Sequence, residues 1–116
     1  MKFKLLIAIV DDTVTARIID AAREAGATGA TTIKSATGEG LQTAKTFFGL
    51  QLEAQRDVVL FVVEAHLART ILETIARAGE FCDKAGRGIV MQMDVEDIIG
   101  IEQQARAIIE QVEEDL

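Results

Sequence analysis

The 116-residue sequence predicts an α+β fold: a ferredoxin-like βαββαβ sandwich with a long loop between strands 2 and 3 and a C-terminal amphipathic helix. Three observations carry this expectation. The stretch from Val10 to Gly26 recurs at a constant offset of 53 as Val63 to Gly79, matching Val10 with Val63, Ile18 with Ile71, Ala25 with Ala78 and Gly26 with Gly79. Such self-similarity marks a duplicated supersecondary unit. In each copy an apolar run, Leu5–Val10 or Val58–Val63, meets an acidic residue, Asp11 or Glu64. In each copy a helical stripe follows and stops at Ala-Gly.

The elements follow in chain order. Leu5–Val10 is apolar at consecutive positions, which calls for burial on both faces of a strand. Asp11 or Asp12 caps the first helix, which aligns Val14, Ile18, Ala22 and Ala25 on one face and exits at Gly26. Ala30–Ala36 is the second strand candidate. Residues 36–57 then form a connection far longer than the roughly two to five residues a hairpin needs. Alternating Phe48, Leu50 and Leu52 suggests a strand extension, leaving about residues 37–46 as the free tip. Val58–Val63 is the third strand, and Leu67, Ile71, Ile75 and Ala78 stripe the second helix. Gly88–Met93 is the fourth strand.

Right-handed crossovers place both helices on one face of the resulting sheet. The apolar runs nevertheless call for cover on both faces, so a second copy of the chain is expected on the other, making a homo-oligomer. In the tail, Ala105, Ile108, Ile109 and Val112 have helical spacing, while Glu113, Glu114 and Asp115 oppose the helix dipole at its end. The expected division is a domain over 1–101 and an acidic helix or tail over 102–116.

Composition excludes several function classes. At 49% hydrophobic and 27% charged residues, a packed core is expected. A net charge of -7 argues against a nucleic-acid partner, which needs a concentrated basic surface. The acidity is uneven: residues 1–56 carry seven basic and six acidic groups, whereas 102–116 carry one against five. One Cys and one His exclude a disulfide framework and a Cys/His zinc site. No run approaches a membrane span, and Leu5–Val10 is too short for a signal-peptide core, so no membrane insertion and a cytoplasmic location are expected.

Two connections are candidates for function. Residues 36–57 hold Phe47 and Phe48, which either pack at a subunit contact or form a partner-binding surface. The segment Gly79–Gly88 combines three glycines with Lys84 and Arg87, a loose version of a loop that holds an anion on backbone amides beside a cation. His66 reads as an exposed helix-start residue, since no partner ligand lies at metal spacing. Cys82 beside Asp83 is a poor nucleophile. Asp11-Asp12 is better explained as a cap, and no catalytic constellation stands out. The expectation is a protein that is not an enzyme.

At this point the chain, over roughly 3–102, resembles the PII family of signalling proteins and their PII-like relatives. The matching residues are Gly38-Glu39-Gly40-Leu41-Gln42 at the base of the family's T-loop, Arg56 where the family has Lys, Gly86-Arg87-Gly88-Ile89 at the end of its B-loop, and Asp94–Ile99 against its Val-Glu-Asp-Val run. The resemblance implies a homotrimer of regulatory proteins, of the kind involved in nitrogen regulation, with an adenine nucleotide as effector in the clefts between subunits. It places Gly38, Gly40, Gln42, Arg56, Gly86, Arg87 and Gly88 near that effector. It also implies a T-loop, here about 37–56, that docks onto a protein target such as a membrane transporter or an enzyme. The family's phosphate-gripping Arg-x-Arg corresponds to Gly100 and Glu102, which favours ADP or AMP over ATP. Leu41 replaces a motif Arg, Ala78-Gly79 replaces Thr-Gly, and the absence of Tyr excludes a tyrosine-modification switch. Two alternatives remain open: a same-fold trimer of the divalent-ion tolerance type, using Glu39, Glu53 and Asp83, and a ligand-independent scaffold using Phe47 and Phe48.

Overall fold

The computed structural model describes residues 2–34, 46–47, 50–51 and 56–101, with backbone alone for 46–47 and 50–51. The chain runs β1 (Phe3–Asp11), α1 (Thr15–Glu24), β2 (Thr31–Lys34), β3 (Thr46–Phe47), β4 (Leu50–Gln51), β5 (Arg56–Glu64), α2 (Ala65–Ala78) and β6 (Gly88–Asp94). Four strands form an antiparallel sheet in the order β2-β5-β1-β6. Both helices pack on one of its faces, the ferredoxin-like arrangement expected from the repeat.

Burial alternates along the two central strands because successive side chains point to opposite faces, and cross-strand pairs share a face. Leu6 pairs with Phe61 and Ala8 with Val59, all fully buried against Ile18 and Ala22 of α1 and Ala68, Ile71 and Ile75 of α2. The opposite face carries Leu5, Ile7 and Ile9 of β1, Val58, Leu60 and Val62 of β5, and Ile89, Met91 and Met93 of β6. No element of the described chain covers it, and Ile33 of β2 and Met93 are 52% and 46% exposed there. The consecutive apolar runs are thus half satisfied within one chain.

The helix termini differ from expectation in two places. Asp11 does not cap α1: its Oδ1 accepts from the backbone N–H and the hydroxyl of Thr13, each at 3.0 Å, closing a turn ahead of the helix. The N-cap position is Val14, without a side-chain cap. At the exit of α1, the N–H groups of Ala27 and Gly26 donate to the carbonyls of Ala22 and Arg23, with Gly26 at φ +120°. This is a Schellman ending on a left-handed glycine. At the exit of α2 the same pattern runs from Phe81 and Glu80 to Ala76 and Arg77, so the left-handed residue is Glu80, at φ 58°, and not Gly79. Gly79 has a different reason to be glycine: a Cβ there would sit 2.2 Å from the Phe81 ring.

Between β2 and β5, Thr46–Phe47 and Leu50–Gln51 pair with each other as a separate two-stranded ladder. Of the alternating residues expected to extend the strand, Leu50 lies in this separate ladder, Phe48 and Leu52 lie outside the described residues, and β5 starts at Arg56. The tip and the acidic tail over 102–116 lie outside the described residues.

Candidate functional site

Four strand ends meet at one end of the sheet: Asp11 of β1 faces Arg56 of β5, Val10 faces Gly88 of β6, and Lys34 of β2 faces Asp57. The 35–55 segment and the 79–87 loop both spring from this end. Arg56 is buried, and its Nη1 donates to the carbonyl of Gly86 at 2.5 Å, so one strand start holds the other loop in place. Gly86 turns the chain at φ +81°, a conformation that favours glycine. Gly88 lets the chain enter β6 closely: a Cβ would lie 2.7 Å from the Ile9 carbonyl and 2.9 Å from the Phe81 ring. The N–H of Asp11 reaches the carbonyl of Arg87 at 2.8 Å, extending the β1–β6 ladder into the loop.

The electrostatics of this end are dense. The hydrogen bond from the Thr13 N–H holds the Asp11 carboxyl below its usual value, aided by the Thr13 hydroxyl and the positive fields of Arg56 and Arg87 against a smaller opposing effect of burial. Glu80 is likewise held low, first by its hydrogen bond from Lys84, with Arg17 of α1 and Arg87 adding positive field. Lys84 Nζ lies 3.0 Å and Arg87 Nη2 3.8 Å from the same Glu80 oxygen. Asp57 is almost wholly buried and accepts from the Thr15 hydroxyl at 2.6 Å and from Lys34 Nζ at 3.0 Å, tying the start of α1 to both strands that flank the 35–55 segment.

Of the residues singled out from sequence, Arg56, Gly86, Arg87 and Gly88 are brought together here. Gly38, Gly40, Gln42 and Phe48 lie outside the described residues, and Phe47 is described only as a backbone pair with Leu50. Arg56 takes a supporting position: its guanidinium is engaged with the loop backbone. Glu80 and Asp57 were not singled out as site residues. The strand alternation through Val59, Phe61 and Val63 already places Asp57 on the helix-covered face, so a buried carboxylate was legible there.

His66 is exposed beside Glu64, and Cys82 is exposed. Among the described residues no group of three His, Cys, Asp or Glu side chains could hold a metal ion; Glu39 and Glu53 of the ion-tolerance alternative lie outside them. A shallow groove lined by Lys2, Phe3, Lys4, Asp94, Val95 and Glu96 sits at the opposite end of the sheet, where Lys4 pairs with Asp94 and thereby holds that carboxyl low. It contacts none of the loop residues above. No helix among the described residues is long and apolar enough to cross a membrane.

The sequence model of the family described as nitrogen regulatory protein P-II matches residues 3–114. Among solved structures, the chain is similar to a Thermus thermophilus protein described as PII-like and signalling, with a TM-score of 0.61 and 22% identity over 88% of this chain and 95% of that one. At that identity the likeness concerns the fold. None of the curated proteins gives a significant match.

Proposed function

We propose, from the premise that the chain belongs to the P-II nitrogen regulatory family, that it binds an anionic small effector and passes its state to a protein partner. The effector would be an adenine nucleotide, ADP or AMP in preference to ATP. The observation that carries this reading is the convergence of Arg56 and Arg87 on the Gly86–Gly88 turn, at the root of the 35–55 segment. There, Arg56 anchors the turn and Arg87, about a quarter exposed, supplies a cation for a phosphate. Gly38, Gly40 and Gln42 enter the proposal from their sequence match alone.

The effector would act by population shift: it moves the segment only through its different affinity for two arrangements of it. The segment, with Phe47 and Phe48, would then dock onto the partner, a membrane transporter or an enzyme being the expected class. The apolar sheet face that no described element covers supports assembly into a homotrimer, since contiguous exposed apolar surface marks an interface.

Calorimetry against ADP, AMP, ATP, cyclic AMP, 2-oxoglutarate and bicarbonate tests the sensor reading. Saturable binding of an adenine nucleotide is expected, weakened by about 1.5–3 kcal/mol in Arg87→Ala if the contact is charge-assisted. Silence from every ligand would reject it. Sedimentation at micromolar concentration should give a trimer, and a monomer would reject the assembly.

A further inference from the structure

The exit of α2 holds a non-glycine residue in a conformation that the equivalent exit of α1 gives to Gly26. A side chain kept at a backbone position that disfavours it needs a reason beyond the turn itself. The side chain in question is Glu80, and two cations face it, Lys84 at 3.0 Å and Arg87 at 3.8 Å, with the positive field of Arg17 on α1 added. No other carboxylate is paired with Lys84 or Arg87 among the described residues. One Glu80 oxygen therefore already lies within 4 Å of both cations that an incoming phosphate would have to engage.

We infer that Glu80 is a built-in competitor for the effector's phosphate, setting which charge state of ligand the loop accepts. This deepens the proposed effector site and rests on Arg87 being one of its contacts. Binding then exchanges an internal carboxylate for an external anion, so affinity depends on the difference between two partners of the same cations. Since Glu80 is displaced rather than protonated, its negative charge stays near the site and opposes each further negative charge on the ligand. The loop thereby favours anions of lower charge, in the same direction as Gly100 and Glu102. A residue that only shaped the loop would have no such dependence on ligand charge or on salt.

The experiment compares the full-length wild type with Glu80→Gln, Glu80→Gly and Arg87→Ala by calorimetry, using ADP, AMP and inorganic pyrophosphate as probes. Glycine suits the left-handed backbone, so Glu80→Gly removes the carboxylate without threatening the turn. Both Glu80 variants should bind ADP roughly 1.5- to 5-fold more tightly at low salt, the range of exposed ion pairs. The gain should be smaller for AMP and should fade at about 0.5 M salt, where exposed charges are screened. Unchanged or weaker binding in both Glu80 variants, with binding present in the wild type and weakened in Arg87→Ala, would overturn the inference and leave the effector site standing. A gain equal for AMP and ADP and insensitive to salt would overturn it too. Silence from all three probes in every protein would overturn the inference and the effector site together.

Discussion

The two βα repeats share a core and diverge at their ends. Ile18 of α1 and Ile71 of α2 stand at matched positions and are both fully buried, and Val10 and Val63 are buried at the ends of their strands. The exits are alike in hydrogen bonding and unlike in chemistry. The first ends on Gly26 and passes through a short connection to β2. The second ends on Glu80 and opens into a loop whose glycines, Arg87 and Lys84 are fixed from several sides.

Substitutions separate what the copies share from what they do not. The largest effect is expected from Ile18→Ala and Ile71→Ala, each costing about 2–5 kcal/mol by chemical denaturation. Similar losses are expected in both, and a severalfold disparity would break the equivalence of the two cores. Gly88→Ala follows at about 2–3 kcal/mol, since its Cβ meets the backbone carbonyl of Ile9 and not just a ring that can rotate. Gly79→Ala, which meets only the Phe81 side chain, should cost less; the reverse order would contradict the packing described.

Asp57→Ala should cost about 2 kcal/mol by leaving the buried Thr15 hydroxyl without its acceptor. Gly26→Ala should cost about 1 kcal/mol at its left-handed position, whereas Glu80→Gly should raise the melting temperature. Opposite signs at these two exits would sharpen the contrast between them. The smallest effect is acidic. Asp11, Glu80 and Asp94 are held below their ordinary values in the folded chain. Their contribution to stability is therefore full above the ordinary carboxylate range and is lost progressively as the pH falls from there through their lowered folded-state values. A melting temperature that rises on acidification would contradict this.

Much of the fold was legible because it depends on period and repetition. The offset of 53 and the apolar stripes locate both helices, the central strands and the antiparallel order. The site was legible only in part. Glycines with Lys84 and Arg87 between Gly79 and Gly88 mark a loop, but the same offset puts Gly79 opposite Gly26, while the backbone puts Glu80 there. A one-residue shift in a helix ending leaves no trace in periodicity. Arg56 could be read as a cation near the loop, but its burial and its bond to Gly86 depend on pairing between distant strands. Asp11 suggested a helix cap, and the three residues between β1 and α1 turn its carboxylate to Thr13 instead.

The divergence of the two exits is tested most directly by backbone amide chemical shifts of labelled protein during titration with ADP. Saturable shifts should appear at Glu80, Gly86, Arg87 and Gly88, with Gly26 and Ala27 unmoved. Shifts at the α1 exit with none at the α2 exit, or no shift anywhere at saturating nucleotide, would contradict the assignment of effector binding to the second repeat.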